Sequence, residues 1–119
     1  MEFFDSHAHY DDEKFDDDRY EIIEKIHEEG ITKFISAGYD LKSSKKGLEL
    51  AEKYNYIYTT SGISPNDIKE SEKETLEDIN KLDIFIKEQI DLAKKENRRL
   101  KIVGVGEIGL DYYWNKENK

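Results

Sequence analysis

Apolar and polar positions alternate at the start of the chain and then change to helical spacing. Over Phe3 to His9, the polar residues Asp5, His7 and His9 alternate with Phe4, Ser6 and Ala8. That period of two predicts a strand with three polar side chains on one face. Asp16, Asp17 and Asp18 predict a helix start, where the macrodipole favours anions. Ile22, Ile23 and Ile26 form its apolar stripe, and Gly30 is its expected C-cap. Ile31 to Ala37 reads as a second strand ending at Gly38. Asp40 is placed to cap a second helix with Leu41, Leu48, Ala51 and Tyr54 on one face. Tyr56 to Ile63, rich in Tyr, Thr and Ile, reads as a third strand, and Ser64-Pro65-Asn66-Asp67 as a turn.

Ser71-Glu72-Lys73-Glu74 matches a capping box. It opens a long helix with apolar positions Leu76, Ile79, Leu82, Ile86, Ile90 and Ala93, which the polar run Asn97 to Lys101 ends. Lys101 to Gly106 reads as a fourth strand and Glu107 to Lys119 as a loop. Strands alternating with helices imply a parallel sheet with helical crossovers, an α/β fold. No linker or low-complexity tract interrupts the pattern, so residues 1–119 are expected to form a single domain.

Composition narrows the function. Of 119 residues 39% are charged, with 28 acidic against 19 basic and a net charge of −9. Such a balance argues against broad electrostatic binding to phosphate backbones. It leaves room for a nucleic-acid substrate held locally by metal ions, which bring their own positive charge. There is no cysteine, so thiol chemistry and disulfides are excluded. No segment has the ~20 apolar residues of a membrane span. Met1 to Asp5 lacks the basic-then-apolar pattern of a signal peptide. The expectation is a cytoplasmic protein with no membrane partner.

Two of the three histidines, His7 and His9, stand two residues apart on the first strand. Side chains at that spacing point the same way and can grip one metal ion; the alternative is a pair of half-exposed strand-end histidines. Asp5, on the same face, is a candidate outer carboxylate supporting the histidines, or a plain strand-start polar residue. The second feature is Gly104-Val105-Gly106-Glu107-Ile108-Gly109-Leu110-Asp111. An apolar strand with glycines ends in a glutamate, at the C-terminal end where parallel α/β folds build sites. Glu107 is either part of such a site or a solvated loop residue, and the glycines around it favour close approach to the backbone. His7, His9 and Glu107 together would offer two neutral nitrogens and one anionic oxygen, a set suited to zinc, manganese or another borderline divalent ion. A carboxylate can also bridge two ions, and a two-metal site suits phosphoryl transfer to water. His27 reads as structural or solvated. Tyr112, Tyr113 and Trp114 read as a base-stacking platform, an aromatic plug or plain surface. The Lys45-Lys46 and Arg98-Arg99 pairs read as solvated helix ends.

At these residues the sequence resembles the TatD family of metal-dependent deoxyribonucleases. Asp5-Ser6-His7-Ala8-His9-Tyr10-Asp11 is similar to the family's opening motif. Gly106-Glu107-Ile108-Gly109-Leu110-Asp111-Tyr112-Tyr113 is similar to its second signature. The resemblance covers the whole chain but only about the first half of a typical member. It implies a parallel (β/α) half-barrel, the first four strands and three helices of a TIM-type barrel. It also implies a site for two divalent ions (zinc, manganese or magnesium), with DNA or another phosphodiester as substrate. Within it, His7 and His9 would bind one metal and Glu107 would be shared between both. The remaining ligands, two histidines and an aspartate, would come from later strands, where the catalytic residues are also expected. One departure stands out. The family's Gly-x-His-Pro is here Gly62-Ile63-Ser64-Pro65, so Ser64 takes the place of a histidine expected to contact substrate phosphate. A hydroxyl can donate a hydrogen bond there but carries no positive charge. Alternatives are a different hydrolase of amides or phosphate esters on the same barrel, or a non-catalytic half-barrel. A half-barrel exposes one sheet face and two strand edges, so the chain is expected to need its C-terminal half or to self-associate.

Overall fold

A computed structural model describes residues 2–69 and 71–109. Four strands, β1 (Phe3–Ala8), β2 (Ile31–Ala37), β3 (Ile57–Ser61) and β4 (Ile102–Val105), form one parallel sheet in the order β1-β2-β3-β4. The helices α1 (Arg19–Glu28), α2 (Leu41–Lys53) and α3 (Glu72–Lys95) make the crossovers, and short 3-10 turns at Glu13–Phe15 and Pro65–Asp67 follow β1 and β3. Sequential parallel order is the topology of a (β/α) barrel's successive units. The strand ends are shorter than the apolar pattern predicted: His9 lies just beyond β1, and β3 stops before Gly62.

Two clusters hold the helices to the sheet. Ile23 of α1, Leu50 and Ala51 of α2, Phe34 of β2 and Ile57 of β3 form one. Leu48 of α2, Leu82 and Phe85 of α3 and Ile102 of β4 form the other. Burying each large side chain of this kind contributes about 1.5–3 kcal/mol. The caps follow the sequence. Asp40 accepts the Ser43 N–H at 2.7 Å in a reciprocal capping box, and Ser71 accepts the N–H of Glu74. Asp18 makes no side-chain cap for α1; Asp16 instead accepts Arg19 Nη2 at 2.7 Å. That guanidinium holds the Asp16 carboxyl below its ordinary pKa. Leu76 and Ile79 depart from the prediction. Their spacing places them on the apolar stripe, but both are exposed, because the core cluster against α3 begins only at Leu82.

Among the described residues, β1 and β4 each pair on one side only. Both carry exposed apolar side chains, Phe3 and Phe4 (56% exposed) on β1, Val103 and Val105 (64% exposed) on β4. Open parallel edges with apolar side chains recruit further strands. The 119 residues expressed alone are therefore expected to elute above monomer mass in size-exclusion chromatography with light scattering. A stable monomer across the micromolar range would contradict this.

Candidate metal centre

The first half of the candidate centre is set by an irregularity in β1. The register against β2 runs Asp5 to Phe34 and Ala8 to Ser36, so β1 carries one extra residue there. Such bulges re-aim side chains and free a backbone N–H from the ladder. Here the freed N–H is that of His7, and Asp5 Oδ1 accepts it at 3.1 Å. Asp5 thus supports the main chain of His7. After His9 the chain is tied down by Arg19, whose side chain donates to the carbonyls of Tyr10, Asp11 (3.1 Å) and Asp12 (2.9 Å). Nothing in the sequence pattern marked Arg19 for this task.

Glu107 follows β4 by two residues. Gly106 N–H donates to the Ser61 carbonyl at 3.0 Å, and Glu107 N–H to the Gly38 carbonyl at 2.6 Å. The chain beyond β4 therefore crosses the end of β3 and reaches the end of β2. His7 Nε2 and His9 Nε2 lie 3.0 Å apart, and Glu107 Oε2 lies 3.5 and 3.6 Å from them. Two ring nitrogens so close must share a proton or a cation, since facing lone pairs repel. The centre of this triangle is about 2.0 Å from all three atoms, which matches zinc–nitrogen and zinc–carboxylate bonds of ~2.0–2.2 Å. The donor set, two imidazoles and one carboxylate, fits a borderline divalent ion. Among the described residues, these three offer ligand atoms all within 4.8 Å of one another.

The surroundings contain a residue that the sequence placed in the motif without a role. Asp11 is 3% exposed, and its Oδ1 has no hydrogen-bond partner among the described residues; the same is true of His9 Nδ1. Burial pushes the Asp11 carboxyl above its ordinary pKa, although its own backbone, His9 and Lys46 pull the other way. Asp11 lines a cavity of about 230 Å³ with Asp12, Tyr39, Asp40, Ser43 and Lys46. The Tyr39 ring also meets His9 edge-on at 5.7 Å. Ser64 is buried, and its hydroxyl pairs with Asp67 Oδ2 at 2.5 Å, across the turn that follows β3. His27 stacks on Tyr56 at 3.6 Å and its Nδ1 pairs with the Ile31 carbonyl, away from the cluster. Leu110, Asp111, Tyr112, Tyr113 and Trp114 lie outside the described residues.

Sequential parallel strands with this cluster at their C-terminal ends define a (β/α)-barrel protein with a candidate divalent-metal centre. The chain belongs to the TatD-related DNase family, whose model matches residues 4–119; it is a family of metal-dependent hydrolases. It is 34% identical over 116 residues to the uncharacterized metal-dependent hydrolase YabD of Bacillus subtilis (strain 168), covering 98% of this chain and 40% of YabD. It is 25% identical over 112 residues to the 3'-5' ssDNA/RNA exonuclease TatD of Citrobacter koseri, covering 94% of this chain and 38% of that protein. The crystal structure of YjjV, a TatD homolog from Escherichia coli K12, superposes with a TM-score of 0.68 at 29% identity, over 97% of this chain and 40% of YjjV. The chain therefore spans about 40% of the length of the relatives it matches, and its fold is the corresponding part of a TatD-type barrel.

The buried carboxylate gives a signed prediction. A carboxyl whose pKa is raised by folding is ionised at a cost at neutral pH, and that cost vanishes below the unfolded pKa. With metal chelated, Asp11→Asn is expected to raise the urea midpoint at pH 7. The gain should shrink as pH falls through the carboxylate range. An Asp11→Asn midpoint equal to or below the parent's at pH 7 would contradict the assignment.

Proposed function

We propose that this chain supplies His7, His9 and Glu107 to the divalent-metal site of a phosphodiester hydrolase acting on nucleic acid, with DNA as the substrate class. The observation that carries this is the convergence of the two Nε2 atoms and the Glu107 carboxylate within 3.0–3.6 Å. The exonuclease name of the Citrobacter koseri relative supports the substrate class. His7 and His9 would bind one ion through neutral nitrogens. Glu107 would share its carboxylate with a second. When bound, divalent ions lower the pKa of a water nucleophile and neutralise the phosphate. The net charge of these 119 residues, −9, argues against broad electrostatic binding, and bound ions would supply local positive charge for a phosphodiester. The rest of the ligands and the catalytic residues are assigned to further strands, which would also cover the exposed edges of β1 and β4. The Ser64 hydroxyl would have to leave Asp67 before it could meet a phosphate.

A second reading is a metal-dependent hydrolase of another ester or an amide on the same barrel. The name of the YabD relative, an uncharacterized metal-dependent hydrolase, is compatible with either reading. A panel of single-stranded DNA, RNA, small phosphodiesters and amides separates the two.

The 119 residues alone are expected to bind divalent metal weakly and to degrade little or no DNA. Joined to the second half of the barrel, the protein is expected to degrade DNA only with divalent metal. In that context His7→Ala or Glu107→Ala should reduce metal affinity by more than the ~10–100-fold that loss of an outer-shell partner costs. A gel assay on end-labelled DNA and metal titration by calorimetry read both. Robust nuclease activity from the 119 residues, or full activity in His7→Ala, would overturn the proposal.

A further inference from the structure

Glu107 lies past the end of its strand, and its backbone rests on two glycines. Its N–H reaches the Gly38 carbonyl at 2.6 Å. Gly62 lies against the Gly106–Glu107 peptide: a Cβ on Gly62 would come within 2.4 Å of the Gly106 carbonyl carbon and of the Glu107 carbonyl oxygen. Any side chain at 62 would lift that peptide from its seat. One hydroxyl lies against both glycines. Ser44, fully buried in the first turn of α2, accepts the Gly62 N–H at 3.3 Å. A Cβ on Gly38 would stand 2.4 Å from the same Ser44 Oγ. The hydroxyl therefore sits between the ends of β2 and β3 and touches both. Its neighbour Ser43 has a separate task, accepting the N–H groups of Tyr39 and Asp40 at 2.9 and 3.0 Å.

We infer that Ser44 is a positioning residue for Glu107: its hydroxyl fixes the spacing of Gly38 and Gly62, and through that seat sets where the carboxylate meets His7 and His9. This rests on the reading of Glu107 as a metal ligand. The site tolerates little else. Alanine leaves the buried Gly62 N–H without an acceptor, and a larger side chain fills the space that Gly38 keeps open.

The test compares the parent with Ser44→Ala, Glu107→Gln and the double variant, by residue-resolved amide exchange and zinc calorimetry. Ser44→Ala should leave the Phe34 amide protected, since it donates to the Tyr56 carbonyl at 3.0 Å within the core. It should speed exchange at Glu107 by about tenfold and weaken zinc binding by roughly tenfold. In the Glu107→Gln background, Ser44→Ala should cost no further zinc affinity, because the group it positions is gone. A purely structural role would give the same loss in both backgrounds; that result, or unchanged Glu107 exchange, overturns the inference and leaves the metal centre standing. If Glu107→Gln binds zinc as tightly as the parent, the metal-centre reading itself falls and this inference with it. Should Ser44→Ala lose Phe34 protection, Ser44→Cys retains an acceptor, weaker and somewhat larger than the hydroxyl. It is then expected to show a smaller zinc loss, again absent with Glu107→Gln, and is overturned by the same results.

Discussion

The amide of Glu107 donates to the carbonyl of Gly38, and the candidate centre depends on that bond. In a flat sheet, β1 and β4 would be three strand spacings apart, about 14 Å at ~4.8 Å each. Yet His7 Nε2 and Glu107 Oε2 are 3.5 Å apart. The gap closes because the chain leaving β4 turns back over the ends of β3 and β2, and because a glutamate is long enough to span what remains. Gly62, at the end of β3, is what lets the Gly106–Glu107 backbone lie on it, and Gly38 leaves room for Ser44 and the Thr60 carbonyl. Sequence, backbone and site are linked here: where the glycines fall decides how closely the chain can cross, and the crossing decides whether three ligand atoms meet.

The same region concentrates polar groups that the core does not want. The apolar share of the chain is 36%, and the layer between α2 and the strand ends is built from Ser36, Ser43, Ser44, Thr59 and Ser61, all buried. Thr59 Oγ1 donates to the Ser36 carbonyl, while the Ser36 and Ser61 hydroxyls and Asp11 Oδ1 have no partner among the described residues. Buried polar groups without partners cost stability. They are concentrated beneath one end of the sheet, where α2 packs so closely that a Cβ on Gly47 would come within 2.7 Å of Thr59 Oγ1 and 3.1 Å of Ser36 Oγ.

Much of the scaffold was legible in the sequence. The period-two and helical patterns located all four strands and three helices. Asp40 and Ser71 capped where their chemistry predicted, and the motifs around His7, His9 and Glu107 pointed to residues that the fold brings together. What was not legible depends on registry and on neighbours distant in sequence. A one-residue bulge in β1 leaves no trace in composition, so the bond from the His7 N–H to Asp5 could not be read from the alternation. Helical spacing gives the face of α3 but not how far its neighbours extend, so Leu76 and Ile79 were placed in a core that does not reach them. Nothing in the sequence pattern singled out Ser44, whose hydroxyl is given its partner only by the strand ends beside it.

One divalent ion held between His7, His9 and Glu107 would be visible by X-ray absorption at the zinc edge of the zinc-loaded protein. The expected spectrum has the multiple-scattering signature of two imidazoles with nitrogen and oxygen neighbours at ~2.0–2.2 Å, reduced to one imidazole by His9→Ala. A spectrum with oxygen neighbours only, or one unchanged in His9→Ala, would contradict that arrangement.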